Sequence, residues 1–179
     1  MVAATTLIDS AEAAFERLFA DEYARVASVA FRITRDAADA EDVAQEVFAQ
    51  FARSRGRALG RARPWLYQAA VHAALNVVRS RRRRAQREER EFRLRGPVLA
   101  GSGNDDPPGI LERRAEAAMV RAALLRIGEK HAEILALRYG GLSYREIAEV
   151  TGIDAAQIGM RLSRAERALK REIERETSR

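Results

Sequence analysis

The stretch that decides the fold is Ser143-Tyr-Arg-Glu-Ile-Ala-Glu-Val-Thr-Gly-Ile-Asp-Ala-Ala-Gln157. Ser143 and Glu146 stand three residues apart, so the side chain of each can accept from the backbone amide of the other, and this capping box predicts the start of a short helix. Gly152 follows where a left-handed backbone conformation is needed to turn the chain. Asp154 and Gln157 repeat the box before a longer helix. The sequence therefore predicts a helix-turn-helix.

The longer helix carries two stripes of side chains, roughly 100° apart around its axis. The apolar stripe predicts a buried face and consists of Ile158, Leu162, Ala165, Leu169 and Ile173. The polar stripe holds side chains that can bind base edges or phosphates, and its candidates are Gln157, Arg161, Arg164, Arg167 and Arg171, joined by Tyr144 from the short helix. A solvated basic face of a helical hairpin is the alternative, but the glycine turn between two capping boxes favours DNA binding.

A second polar stripe lies on a helix predicted from about residue 64 to Leu94. Its members follow at helical spacing and lead into Arg79-Ser-Arg-Arg-Arg-Arg84: Gln68, His72, Asn76, Arg79 and Arg83. Residues 54–63 contain two glycines and four arginines, which predicts a flexible basic loop that contributes Arg55, Arg57 and Arg61. We interpret loop and stripe as a nucleic-acid track that could hold an extruded base. His72 by itself would be interpreted as an ordinary surface or core histidine. Trp65, the one tryptophan, is interpreted first as a core residue and second as a surface on which a base stacks.

An acidic face lies on the helix that is predicted between the N-cap Asp36 and about Arg53. Its candidates are Asp39, Asp42, Gln45 and Glu46. A catalytic carboxylate pair is a weak interpretation, because no pocket, nucleophile or metal partner accompanies these side chains. A docking face for a basic protein is the better one, and a merely solvated face is the remaining alternative.

Composition excludes several classes of protein. The chain has 179 residues, 47% of them hydrophobic and 32% charged, with no cysteine and two histidines. Disulfide scaffolds and thiolate metal sites are excluded, and two histidines 59 positions apart do not make a usual zinc site, so we expect no metal or cofactor. The sequence starts without a signal peptide and contains no apolar run long enough to cross a membrane. We therefore expect a soluble cytoplasmic protein without membrane insertion.

Charge is distributed unevenly along the chain. Residues 1–50 carry a net charge of −6, residues 51–95 carry +11 and residues 96–179 carry +1. The basic block attracts a polyanion, whereas the acidic block would be repelled by it and needs another partner. This pattern implies one nucleic acid and one basic protein surface.

The chain organisation predicts an all-helical fold with two small lobes. Residues 11–95 form the first, beginning with an amphipathic helix over about 11–34, and residues 110–175 form the second. Residues 96–109 contain four glycines and three prolines, which is typical of a flexible linker. Further helices are predicted over 110–127 and from 129 to about 139.

These pieces, in this order, resemble the extracytoplasmic-function group of bacterial sigma factors. The resemblance is carried by Asp39-Ala-Glu-Asp-Val-Ala-Gln-Glu-Val-Phe48, by Pro64-Trp-Leu-Tyr67 with the arginine block, by Gly141-Leu-Ser-Tyr-Arg-Glu-Ile-Ala148, and by Arg161-Leu-Ser-Arg-Ala165. It covers about residues 12–175. The chain departs from the family at Val71-His72, where Arg-Asn is usual, at Asn76, where Asp is common, and at Ala156-Gln-Ile-Gly159, where Gly-Thr-Val-Lys is usual.

The resemblance implies a subunit that binds core RNA polymerase and directs it to promoter DNA. The acidic face would dock on the clamp coiled coil of one large polymerase subunit, and the loop with the second polar stripe would capture and melt the minus-ten element. The helix-turn-helix would read the minus-thirty-five element and dock on the flap of the other large subunit, while the linker threads the active-site cleft and RNA exit path. An anti-sigma factor is an expected partner, and a small-molecule substrate is not.

A free-standing helix-turn-helix regulator is the second functional hypothesis. It would bind duplex DNA tightly without polymerase, whereas two modest sigma lobes gain affinity only when polymerase fixes their spacing. An enzyme that uses the carboxylates near residues 39–46 is a much weaker third hypothesis.

Overall fold

The structure is a computed structural model that describes residues 2–54, 62–95 and 109–178, and these residues form seven α-helices and no strand. The N-terminal lobe consists of α1 (Val2–Thr34), α2 (Ala37–Arg53) and α3 (Ala62–Arg95). The C-terminal lobe consists of α4 (Ile110–Arg126), α5 (Glu129–Tyr139), α6 (Tyr144–Thr151) and α7 (Ala155–Thr177). The predicted all-helical fold is confirmed.

The helix ends follow the capping signals of the sequence. Asp36 has an extended backbone, and its carboxylate accepts from the amide of Asp39 at 3.1 Å, which confirms the N-cap of α2. Helix α1 starts at Val2 instead of near residue 11, since no glycine or proline interrupts the intervening residues. Helix α3 starts at Ala62, which leaves Pro64 in the first turn, where its missing amide costs nothing.

The N-terminal lobe is built around Phe48 of α2, which is almost completely buried. Its ring lies 5.0 Å from that of Phe19 and 5.7 Å from that of Tyr23, both on α1. Trp65 of α3 packs on Phe51 with 5.5 Å between the ring centroids and is partly buried against the core, as its first interpretation predicts. Aromatic pairs at these distances add to the free energy gained from burial.

The C-terminal lobe contains the predicted helix-turn-helix. Both halves of the Ser143 and Glu146 capping box are present, and Gly152 ends α6 in the left-handed region with φ 69°. The prediction of a second capping box is wrong for the reciprocal hydrogen bond that the side chain of Gln157 was expected to accept. The carboxylate of Asp154 accepts from the amide of Ala156, while the side-chain oxygen of Gln157 accepts from Arg161, one turn along α7.

The two lobes pack against each other, which the sequence did not predict. Buried residues of α1, such as Val26 and Val29, belong to one continuous core with Leu135 and Leu142 of the C-terminal lobe. Gly140, after α5, lies directly on Val29, because a Cβ there would come within 2.3 Å of the Val29 Cγ2 and 2.7 Å of the carbonyl oxygen of Ala136. A side chain at 140 is therefore incompatible with this packing.

No helix in the described ranges combines the length and the apolar character that a membrane crossing requires.

Candidate nucleic-acid interface

The outer side of α7 presents the groove face, which we define as Gln157, Arg161, Arg164, Arg167 and Arg171. All five side chains are exposed, whereas Ile158, Leu162 and Ala165 on the opposite side are buried. Arg167 donates to the carbonyl of Ser163 at 3.1 Å, and Arg161 donates to Gln157 at 3.4 Å. The face is thus held by contacts within α7 and is open to a large partner.

Tyr144 lies beside the groove face at the start of α6. Its ring is 43% exposed and has the guanidinium of Arg138 5.4 Å from its centroid. A Cβ added to Gly159 would have Tyr144 Cε2 as its one neighbour, at 3.6 Å, which is ordinary van der Waals contact. Gly159 is therefore not required by the packing of α6 on α7.

Replacing Gly159 by alanine is expected to raise the free energy of unfolding by up to about 1 kcal/mol, because alanine loses less backbone entropy in a helix. Urea denaturation of the two proteins measures the difference. A Gly159→Ala protein that unfolds more easily than the parent would contradict the ordinary van der Waals distance between a Cβ at this position and Tyr144 Cε2.

The α3 stripe, defined as Gln68, His72, Asn76, Arg79 and Arg83, lies along one side of α3. An open cleft of about 360 Å³ forms between the stripe and α2, and it is lined by Gln50, Trp65, Gln68, Ala69, His72, Ala73 and Asn76. The interpretation of this region as a place for an extruded base stays a prediction. The neighbouring loop residues Arg55, Arg57 and Arg61 lie outside the described residues.

The arginine block, Arg79-Ser-Arg-Arg-Arg-Arg84, overlaps the end of the α3 stripe, and its side chains differ in their partners. Arg81 turns to the start of α2, where it contacts Asp39 at 2.5 Å and Asp36 at 3.3 Å. Arg79 donates to Asn76 at 3.2 Å. Arg82, Arg83 and Arg84 are exposed. The block therefore holds α2 in place as well as offering charge to solvent.

The acidic face of α2 keeps three of its four members accessible. Asp42, Gln45 and Glu46 are exposed, and Glu46 accepts from Arg53 at 2.9 Å on the same helix. Asp39 is mostly buried under Arg81, and burial raises the pKa of its carboxyl group despite that arginine. The structure thus places Asp39 in a structural ion pair instead of on the open face.

An unpredicted cluster joins the two lobes, and we call it the interlobe network: Glu22, Arg25, Arg63, Tyr67 and Glu146. The carboxylate of Glu146 accepts from Arg63 at 2.8 Å and from Arg25 at 2.9 Å. Glu22 is buried, pairs with Arg63 at 2.7 Å and accepts from the Tyr67 hydroxyl at 2.5 Å. The members of the network lie far apart in the sequence, with 121 positions between Arg25 and Glu146 and 83 between Arg63 and Glu146. No local pattern of spacing or charge could have identified them as partners.

Hydrogen bonds set the charge states of the network. Burial by itself raises the pKa of Glu146, but hydrogen bonds from Ser143 and from the two arginines outweigh it and lower that pKa to about 2. Burial and the neighbouring Glu22 raise the pKa of the Tyr67 hydroxyl. The network therefore holds an ionised Glu146 and a neutral Tyr67 at neutral pH.

Both lobes match known families along most of their described length. Residues 18–84 match the family described as Sigma-70 region 2, and residues 117–169 match the family described as Sigma-70, region 4. The chain is 30% identical over 159 residues to RNA polymerase sigma factor YlaC of Bacillus subtilis, a match that covers 87% of this chain and 90% of that relative. The chain belongs to the extracytoplasmic-function RNA polymerase sigma factors. This sigma factor contains the acidic face and the α3 stripe in its region 2, and most of the groove face in its region 4.

Two further relatives agree with this membership. RNA polymerase sigma factor CarQ of Myxococcus xanthus is 33% identical, and the match covers 90% of each chain. ECF RNA polymerase sigma factor SigL of Mycobacterium tuberculosis is 30% identical, also with 90% of each chain covered. The chain therefore functions as a sigma factor in transcription initiation, and the free-standing regulator is not favoured.

Proposed function

We propose that this sigma factor uses three separate surfaces: the groove face for the minus-thirty-five element, the α3 stripe for the minus-ten element, and the acidic face for core RNA polymerase. The observation that carries the proposal is the groove face. It presents four arginines and a glutamine to solvent from a helix whose opposite side is buried. A helix held in this way can enter a major groove with its first turns nearest the bases.

The position of each side chain along α7 suggests its role. Gln157 and Arg161 lie in the first two turns, where a recognition helix approaches base edges, and both present amide or guanidinium groups suited to bidentate contacts. Arg171 lies more than two turns further on, where the helix leaves the groove and the phosphate backbone is the nearer partner. We assign base reading to the first pair and phosphate binding to Arg171.

Replacing Arg161 by alanine is expected to weaken use of the cognate upstream element by about 1–3 kcal/mol, because a bidentate base contact is lost. Run-off transcription with core polymerase on sheared source DNA gives the start sites, and aligned starts give the upstream element. Transcription from intact and scrambled elements then measures the effect of the substitution.

Arg171→Ala is the matched control, since it removes the same side chain from the same helix. We expect it to reduce binding to intact and scrambled elements equally and to lower the salt dependence. An equal loss on all upstream sequences for Arg161→Ala would assign Arg161 to a phosphate instead of a base.

The cleft beside the α3 stripe supports the minus-ten assignment. A base extruded from the duplex needs a pocket with a stacking surface and hydrogen-bonding groups, and the cleft offers Trp65 with Gln68 and Asn76. The exposed arginines that follow supply charge for the strand backbone. The α3 stripe and its cleft thus have the chemistry that binding an unpaired strand requires.

The remaining parts of the proposal follow from the partners. We propose that the protein works in the cytoplasm with core polymerase and promoter DNA, has no catalytic chemistry of its own, and is controlled by an anti-sigma factor that covers its docking surfaces. Across the described residues no group of three or more metal-ligating side chains occurs, and the mechanism uses none.

A further inference from the structure

We propose that the packing of the C-terminal lobe on the N-terminal lobe is a closed state in which this sigma factor masks part of its own minus-ten surface, with Glu146 as the latch. The inference rests on the proposed role of the α3 stripe. Three observations support it: the contacts that the α3 stripe makes with the C-terminal lobe, the close packing between the two lobes, and the two sets of hydrogen bonds that the Glu146 carboxylate accepts.

Three members of the α3 stripe are occupied by the C-terminal lobe. Gln68 donates to the carbonyl of Val150 at 2.6 Å. That carbonyl lies in the last turn of α6, where helix carbonyls have no partner within the helix, so the amide of Gln68 satisfies it. His72 and Arg79 both approach the carboxylate of Glu129, at 3.4 Å and 3.3 Å. The same atoms cannot bind a DNA strand at the same time.

The fit between the lobes is close at the backbone. Gly140 has φ −74°, a conformation open to any residue, yet two of the three atoms nearest to its missing Cβ belong to Val29 of the other lobe. Val29 is completely buried. Van der Waals contact of this kind is lost as soon as the lobes separate, so the arrangement has two discrete states instead of a continuous range.

Glu146 links the closed state to the DNA-reading motif. Its Oε2 closes the capping box with Ser143, and its Oε1 accepts from Arg25 and Arg63 of the N-terminal lobe. The side chain is 23% exposed, so these ion pairs are partly shielded from water. When the lobes separate, the cap remains and the two arginines are released.

The closed state leaves other surfaces open. The groove face on α7 and the three accessible residues of the acidic face are exposed in it. Residues 96–108 separate the last residue of α3 from Gly109, and a chain of that length can span roughly 45 Å when extended. Polymerase binding can therefore hold the lobes apart. In the free protein, the apparent affinity for a DNA strand is reduced in proportion to the fraction of molecules that are open.

The first test measures the distance between the lobes. The chain has no cysteine, so Ala20→Cys on α1 and Met160→Cys on α7, both at exposed positions, allow two spin labels for pulsed electron spin resonance. We expect one narrow distance in the free protein. Arg25→Glu puts a carboxylate against Glu146 and Glu22, and we expect it to broaden the distribution towards longer distances. A broad distribution in the parent, or an unchanged one in Arg25→Glu, overturns the closed state.

Arg145→Glu is the charge-matched control. Arg145 is the neighbour of Glu146 in sequence, but its side chain is 89% exposed and pairs with Glu149 on the same helix. We expect Arg145→Glu to keep the narrow distance. Glu129→Lys is a second opening variant, because it removes the carboxylate that His72 and Arg79 approach and puts a cation against Arg79, without touching the interlobe network. It should broaden the distribution as Arg25→Glu does.

The second test measures masking. A fluorescent single-stranded DNA 20-mer of mixed sequence is titrated with the full chain at low salt, and Arg25→Glu is expected to bind about threefold or more tightly than Arg145→Glu. If Arg25→Glu shows the longer interlobe distances but binds the strand no more tightly than Arg145→Glu, the proposal of masking is overturned. If no variant binds the strand at any salt concentration, the α3 assignment itself fails, and that result is distinct from a failure of the lobes to close.

Discussion

Replacing Asp42 and Glu46 together by lysine is expected to abolish binding of core RNA polymerase, with a loss of at least about 100-fold in affinity. Both side chains are exposed on α2, so the change alters the sign of a surface that we assign to a basic partner. Neither carboxylate is buried, so the helix content measured by circular dichroism should not change. Co-purification with core polymerase measures the binding.

The control for charge alone is Glu12→Lys with Glu16→Lys, two exposed acids on α1. This pair changes the net charge by the same amount and should leave co-purification intact. An undiminished yield of core polymerase with the α2 variant would remove the docking assignment and leave the acidic face as a solvated surface.

Phe48→Ala is expected to lower the free energy of unfolding by about 3–5 kcal/mol. The ring is 2% exposed and meets Phe15, Phe19 and Tyr23, so its removal leaves a cavity lined by aromatic side chains that cannot close around an alanine. Urea denaturation followed by circular dichroism measures the change.

Phe31→Ala makes the same chemical change at a position that is 38% exposed. Because little apolar area is lost from the core there, we expect an effect within about 1 kcal/mol. Similar losses for the two variants would mean that Phe48 does not carry the packing of α1 on α2 that the ring distances indicate.

Local signals in the sequence were sufficient for the helix-turn-helix. Ser143, Glu146 and Gly152 each act within a few residues of themselves, so their spacing alone predicts a cap and a turn. The same holds for Asp36 and for the alternation that buries Ile158 and exposes Arg161. The predicted reciprocal bond of Gln157 failed because Arg161, one turn away, offers its side chain a charged partner.

The arrangement of the lobes could not be predicted in this way. Arg25 and Glu146 are 121 residues apart, and nothing near either one marks the other as its partner. The α3 stripe was identified by its helical spacing, but spacing does not show that Glu129 or the Val150 carbonyl would approach it. Asp39 was grouped with the acidic face for the same reason, because its ion pair with Arg81 depends on how α3 crosses α2.

The shared carboxylate of Glu146 restricts how this protein can be recombined. A chimera that joins its C-terminal lobe to the N-terminal lobe of another sigma factor retains Ser143 and hence an intact cap. Unless the new lobe carries arginines where Arg25 and Arg63 stand, the transplanted carboxylate loses both of its cationic neighbours. A hybrid protein can therefore keep the recognition helix with its cap and still lose the contacts that hold the two lobes in the closed state.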